Sequence, residues 1–191
     1  RFANAELAKK YATQAVNHSI GVMTAKDDAA QMSQGAGMTF RNNIEWLAGN
    51  YNEARMGSSI FSYLMGYEDP RLNVYFLPMD GNTSYGVEAF DGKTYQAVPA
   101  GHANAQNDIY KSCSKPNIQS GTPTYWLRAS EVYFLRAEAA LVWEGFGSAD
   151  SWYKQGIDMS FQENGVTEPV DDYMNSNLSP RAYVLSHYQY G

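Results

Sequence analysis

The segment Tyr125–Gly165 constrains the fold of this chain most strongly, because apolar residues recur at helical spacing on both sides of a short glycine-containing turn. The first helix is predicted to begin near Pro123, with Thr122 as its N-cap, and to end at Gly145. Ser148 is positioned to cap the second helix. Since only a few residues join the two helices, they are expected to be antiparallel neighbours. The segment therefore predicts a tetratricopeptide-like hairpin, which needs further helices to complete its core.

The polar residues of the first predicted helix do not gather on one face, which indicates that neighbours enclose this helix on several sides. Arg128 and Glu131 are three residues apart and are expected to pair. Trp126, Trp143 and Trp152 fall within the hairpin, so we expect these rings to pack in its core.

Helices are also predicted in the first third of the chain. Apolar residues at three- and four-residue steps predict helices over Asn4–Ile20 and Asn52–Gly66, and the polar segment Thr24–Gly49 is interpreted mainly as loop. Leu72–Leu77 has the composition of a strand, and glycines and prolines break the segment Arg71–Gly121 into turns. The predicted fold is mainly α, with helical hairpins, long irregular loops and little β structure.

The composition indicates a compact globular protein and argues against nucleic acid as a partner. Of the 191 residues, 44% are hydrophobic and 18% are charged, which suffices to bury a core. The formal net charge is −6, and no basic stripe is present to neutralise phosphates. No apolar run approaches the roughly 20 residues that span a bilayer.

Neither a metal nor a cofactor is expected. Cys113 is the single cysteine, and no histidine lies near it in the sequence to activate it as a catalytic thiol. The three histidines lack the spacing of zinc ligands. Calcium ligands would have to come from acidic residues that lack the spacing of an EF-hand loop. These residues are Asp80, Asp91, Asp108, Asp171 and Asp172.

Three pieces of the sequence carry a recognisable pattern. Residues 128–140 look like a glutamate-containing AEV…AEAAL helix, and Ser151–Phe161 looks like the YxxGIxxSF helix that follows it. Asp69–Leu72 looks like a DPRL element. In their order and spacing along the chain, the pieces resemble the SusD/RagB-type outer-membrane lipoproteins of Bacteroidetes, and the similarity covers most of residues 5–165.

The resemblance implies binding without catalysis. Members of this family lie as lipid-anchored caps over a TonB-dependent, SusC-like transporter at the outer membrane and hand it oligosaccharides. The implied partners are an oligosaccharide or polysaccharide and that transporter. The implied membrane contact is only a lipid on an N-terminal cysteine outside this sequence, a role that Cys113 does not fill.

Family members are several hundred residues long, so residues 1–191 are expected to be a single SusD-like helical domain that is part of a longer chain. We expect this domain to follow the family's N-terminal helical repeats and to be truncated or discontinuous. Two departures from the family pattern support this expectation: Arg1–Asn4 runs straight into Ala5, and Leu178–Gly191 lacks the family's closing motif rich in tryptophan and arginine.

Glycan capture needs exposed aromatic rings beside side chains that hydrogen-bond hydroxyl groups. The chain is rich in aromatic residues, with 15 Tyr, 8 Phe and 4 Trp, and tyrosine combines a flat apolar face with a polar tip. The family's ligand contacts come from variable loops, so the resemblance assigns no binding residue. For each ring, packing in a local core stays the alternative. Placement in predicted loops selects Trp46, Tyr51, Tyr85 and Tyr95, with Asn82 and Asp91 as polar partners.

Two other functions stay open at this point. A helical glycoside hydrolase would use two carboxylates, and Glu131 and Glu138 are about 10.5 Å apart along a helix, slightly beyond the separation of an inverting pair. Structural pairing of each glutamate is the alternative. A tetratricopeptide-type interaction scaffold would explain the hairpin but not the long segment Arg71–Gly121, which is rich in tyrosine, glycine and asparagine.

Overall fold

The computed structural model of the protein describes residues 1–35, 37, 39–80, 88–99, 101 and 110–180. The described chain is mainly helical, as predicted. The helices are α1 (Ala5–Val16), α2 (Asn43–Gly49), α3 (Ser58–Gly66), α4 (Leu72–Tyr75), α5 (Ala129–Val142), α6 (Ala149–Glu163) and α7 (Val170–Met174). The strands are β1 (Ala29–Met32), β2 (Glu88–Phe90), β3 (Lys93–Tyr95) and β4 (Thr124–Arg128).

The chain divides into two compact units. Unit 1 consists of Arg1–Met32 and Tyr125–Met174, and unit 2 consists of the described residues of Ser33–Thr124 and Asn175–Gly191. A single domain over residues 1–191 stays a prediction.

The helical hairpin predicted in unit 1 is confirmed. Helices α5 and α6 pack against each other along their lengths, and the Ser148 hydroxyl accepts a hydrogen bond from the Ser151 backbone amide at 3.3 Å. The Phe134 ring lies directly against Gly156, where a Cβ atom would stand only 2.7 Å from Phe134 Cε1. Glycine at this position therefore sets how closely the two helices approach.

The first helix of the hairpin begins six residues later than predicted. Thr124–Arg128 forms β4, which pairs with β1 in a two-stranded sheet. Because β-branched and aromatic residues favour strands, this segment extends once a partner strand is available. The helix starts at Ala129, and its N-terminal turn is capped by Glu131, whose Oε1 accepts from the Arg128 backbone amide at 3.0 Å.

Two predictions for side chains of the hairpin are wrong. Trp126 lies on β4 and is 68% exposed rather than packed in a core. The Arg128 guanidinium does not pair with Glu131. Its Nε lies 3.3 Å from Oε2 of Glu163, a buried carboxylate at the end of α6. Trp143 and Trp152 are partly buried.

The structure differs from the prediction in three further segments. The predicted helix over Asn52–Gly66 starts only at Ser58: Asn52 has a left-handed φ of 57°, and Gly57, directly before the helix, is extended. The strand predicted over Leu72–Leu77 is instead the short helix α4. The Asp69 carboxylate accepts from the Arg71 backbone amide at 2.9 Å and holds the turn that starts this helix. The segment interpreted as loop, Thr24–Gly49, contains β1 and α2.

The core of unit 2 forms around α3. On this helix Phe61, Leu64 and Met65 are buried, whereas Ile60 and Tyr63 on the opposite side are exposed. The helix thus buries one apolar face, as an amphipathic helix does. The complete buried cluster is Met56, Phe61, Leu64, Met65, Leu72, Phe76, Tyr95 and Ala97.

Candidate functional site

Two of the predicted binding residues, Trp46 and Tyr51, come together at the end of α2 in unit 2. Their ring centroids are 6.0 Å apart, and the ring planes are tilted by 41°. Trp46 is 37% exposed and Tyr51 is 52% exposed. The two rings therefore form an aromatic surface that solvent reaches, which we call the Trp46–Tyr51 platform.

The start of α2 is fixed by a buried asparagine. The side-chain oxygen of Asn42 accepts from the Ile44 backbone amide at 3.1 Å, which caps the helix. Its side-chain nitrogen donates to the Thr122 carbonyl at 3.1 Å, and its backbone amide donates to the Ser120 carbonyl at 2.8 Å. These bonds anchor α2 to a distant part of unit 2, so Trp46 projects from a fixed helix.

The loop that carries Tyr51 is held by Arg55. The Arg55 guanidinium donates to the carbonyls of Ala48 and Ala54 at 2.9 and 2.8 Å, and to Asn52 Oδ1 at 2.9 Å. Its Nε and Nη2 both donate to the Lys111 carbonyl, at 3.2 and 2.9 Å. Burial lowers the pKa of the Arg55 guanidinium from its ordinary value. The loop is therefore tied to its surroundings on three sides before any ligand binds.

A second arginine shares the platform. Arg41 stacks over Trp46, with its Cζ 4.2 Å from the centroid of the ring. Its Nε and Nη2 donate to Glu45 Oε2 at 3.2 and 2.7 Å. A guanidinium on an aromatic face is a cation–π contact, and the carboxylate holds it there.

The other predicted binding residues lie away from the platform or outside the residues that the structure describes. Tyr95 is 0% exposed, and its hydroxyl donates to Asn73 Oδ1 at 2.5 Å, so its ring packs in the core of unit 2. Burial raises the pKa of the Tyr95 hydroxyl, and the nearby Asp91 charge adds to the shift. Asp91 lies in the turn between β2 and β3 and accepts from the Asn73 side chain at 3.1 Å. Tyr85 and Asn82 lie outside the described residues.

Sequence reasoning missed the polar half of the platform and a second aromatic pair. Arg41 and Glu45 have the i,i+4 spacing of a helical ion pair, and that spacing beside Trp46 was the available signal. Tyr63 on α3 and Tyr67, the residue that ends this helix, have the same spacing, with ring centroids 6.3 Å apart.

The carboxylates and the thiol considered for catalysis have structural partners or are buried. Glu131 caps α5, and Glu138 pairs with Arg1 Nε at 2.5 Å. Cys113 is buried, and desolvation raises the pKa of its thiol to about 11. Among the residues that the structure describes, no three His, Cys, Asp or Glu side chains gather as metal ligands. Within the same residues, no helix combines the length and apolar character needed to cross a bilayer.

Unit 1 contains a cleft of about 560 Å³ between α1 and α5. Its walls are mainly apolar and include Ala12, Leu135 and Trp143. The charged residues of its lining have partners within the chain, since Arg1 pairs with Glu138 and Arg136 lies over the Trp152 ring, so the Trp46–Tyr51 platform is the better candidate for a glycan site.

Comparison with known structures identifies the fold. A SusD homologue from Bacteroides vulgatus is 34% identical with a TM-score of 0.76, and the match covers 93% of this chain and 34% of that one. A SusD homologue from Bacteroides thetaiotaomicron is 31% identical with a TM-score of 0.77, covering 94% and 35%. A chitin-binding SusD homologue from Flavobacterium johnsoniae is 30% identical with a TM-score of 0.74, covering 90% and 33%. The chain thus spans about a third of the length of these structures.

A search of curated proteins gives no match. The sequence profile of the SusD-like family, described as the SusD and RagB outer membrane lipoproteins, matches residues 1–191. The family predicted from three sequence motifs is confirmed, and the chain belongs to the SusD-like family.

Proposed function

We propose that the protein captures glycans without catalysis at the outer-membrane surface and delivers them to a TonB-dependent, SusC-like transporter. The observation that carries this proposal is the Trp46–Tyr51 platform, in which two exposed rings lie beside hydrogen-bonding side chains. Flat apolar rings suit the C–H faces of sugars, while Arg41 and Glu45 offer donors and acceptors to hydroxyl groups.

The comparisons support the class of ligand and the location. One similar structure is described as chitin-binding, and the family is described as outer membrane lipoproteins. The structural engagement of Glu131 and Glu138 favours capture over a hydrolase built on that pair. An anchor in this family would be a lipid on a cysteine outside this sequence.

Glycan capture is tested by affinity electrophoresis in gels that contain soluble polysaccharides. At least one polysaccharide is expected to retard the protein, with no release of reducing sugar. Trp46→Ala is expected to weaken that binding about tenfold or more, as removal of a central aromatic contact does. Tyr51→Ala, which removes the more exposed ring, is expected to weaken it as well.

Tyr63→Ala is the matched control, because Tyr63 is also an exposed tyrosine paired with a second ring. It is expected to leave the retardation unchanged. Sugar release would favour the hydrolase, and retardation by none of the polysaccharides would favour the interaction scaffold. Equal binding by the wild type and by the Trp46 and Tyr51 variants would show that the platform does not contact the glycan.

Delivery is tested in cells that depend on this protein for growth on the glycan. The protein is expected to co-purify from outer membranes with a TonB-dependent transporter, and Trp46→Ala is expected to keep this association while slowing growth. Purification of the protein without any transporter would contradict the delivery step and leave glycan capture standing.

A further inference from the structure

The formal charges of the segment that carries the Trp46–Tyr51 platform cancel. Residues 41–55 contain two cations, Arg41 and Arg55, and two anions, Glu45 and Glu53. Whether the platform accepts an anionic ligand therefore depends on which cation is free to bind one.

Arg55 has no donor left for a ligand. A guanidinium has five N–H groups. The Arg55 group makes five hydrogen bonds, to Ala48, Ala54, Asn52 and twice to Lys111. An anion that bound Arg55 would have to break the contacts that hold the loop of Tyr51.

Arg41 lies on the platform itself, but its charge is matched. The bonds from its Nε and Nη2 to Glu45 Oε2 direct the guanidinium edge toward Glu45 while its face covers Trp46. A sugar carboxylate or sulfate would have to replace Glu45 or bind beside it. Like charges at close range repel, and the net charge of −6 adds long-range repulsion of a polyanion.

We infer that the Trp46–Tyr51 platform selects uncharged sugar chains, and that Glu45 sets this selectivity by holding and neutralising Arg41. The inference rests on the proposed glycan binding and names the class of glycan. In this arrangement Glu45 is a positioning residue that acts through Arg41, and the uncharged chain meets Tyr51 and the exposed part of Trp46.

The test compares one neutral polysaccharide that retards the protein with the same polymer after its primary hydroxyls have been oxidised to carboxylates. The wild type is expected to bind the oxidised polymer about tenfold more weakly, since Arg41, which lies over Trp46, is already paired with Glu45. In Glu45→Gln, Arg41 is released to pair with ligand carboxylates. The ratio of the affinity for the neutral polymer to the affinity for the oxidised polymer is therefore expected to narrow to about threefold or less. Binding of the oxidised polymer is also expected to weaken as the salt concentration increases.

Glu53→Gln is the matched control, because it removes the same charge from an exposed side chain of the same segment. It is expected to keep the wild-type ratio. The double variant Arg41→Gln, Glu45→Gln is expected to restore the wild-type affinity ratio of about tenfold, since it also removes the Arg41 guanidinium.

Three results would overturn the inference. The first is equal or tighter binding of the oxidised polymer by the wild type. The second is an equal narrowing of the ratio in Glu45→Gln and Glu53→Gln, because net charge would then explain the effect without Arg41. The third is a double variant that keeps the narrow ratio. Absence of binding to every neutral polysaccharide would instead contradict the proposed function, and the inference with it.

Discussion

The aromatic residues show how far individual side chains are predictable from the sequence. Trp46 and Tyr51 fall in polar segments, which predicts exposed rings, and the structure brings these rings together. Tyr95 also falls in such a segment, but it packs in the core because the β2–β3 hairpin folds it inward. Local polarity indicates a loop, whereas the burial of a ring depends on which distant elements pack over it.

Arg41 and Arg55 illustrate the same limit. The spacing of Arg41 and Glu45 is visible in the sequence. The partners of Arg55 include a carbonyl 56 residues away, one on α2 and one within its own loop. No sequence pattern marks a backbone carbonyl as a partner, so this part of the site is seen only in the folded chain.

Cys113 gives a prediction about pH. Burial raises the pKa of its thiol to about 11, whereas an unfolded thiol ionises near 8.5. Between these values the unfolded chain loses a proton that the folded chain keeps, so this thiol makes stability fall as pH rises. The loss is up to about 1.4 kcal/mol per pH unit within this window, and none is expected from this group below it.

The measurement is urea denaturation of the wild type and Cys113→Ala at several pH values from 7 to 11. The difference between their free energies of unfolding is expected to shift in favour of the variant only above about pH 8.5. A difference that stays constant over the whole range would contradict a buried neutral thiol.

At the scale of elements, the hairpin was predictable and its boundary was not. Helices α5 and α6 carry their own caps and apolar spacing, so local sequence was sufficient. The position of β4 depends on pairing with β1, which lies more than 90 residues earlier. Thr122 and Pro123 satisfy the rules for a helix start equally well, so only the partner strand decides between the two assignments.

The contact of Gly156 with Phe134 gives a prediction for helix packing. Gly156→Ala places a methyl group 2.7 Å from a ring carbon that is itself packed against Tyr153. Overpacking costs about 1–3 kcal/mol, and the gain in helix propensity offsets up to about 1 kcal/mol of it. We expect the free energy of unfolding of unit 1 to fall by about 1–2 kcal/mol.

Chemical denaturation followed by the tryptophan signal measures this change. Gly121→Ala is the control, because Gly121 is exposed, has no atom within 4 Å of an added Cβ and does not adopt a left-handed φ. It is expected to change stability by less than about 0.5 kcal/mol. Equal stability of Gly156→Ala and the wild type would show that the Phe134 ring moves aside without cost.

At the scale of the whole molecule, the family was predictable because its motifs are scaffold elements. The DPRL element forms the turn that begins α4, and the YxxGIxxSF element forms the face of α6 that meets α5. Both are determined by packing and capping, which local sequence records. Under the proposed function, the exposed side chains of the platform determine the ligand, and such side chains can differ on one scaffold.

The hydrogen bonds of Arg55 have a consequence for which surface residues near the platform can vary. Four of its five hydrogen bonds end on main-chain carbonyls, at Ala48, Ala54 and Lys111. Every residue type supplies a main-chain carbonyl, so the exposed side chain at Lys111 can change while these hydrogen bonds stay, whereas Ala48 is buried and is restricted by packing. A substitution at Lys111 thus alters the surface beside Arg55 while the loop of Tyr51 keeps its hydrogen bonds.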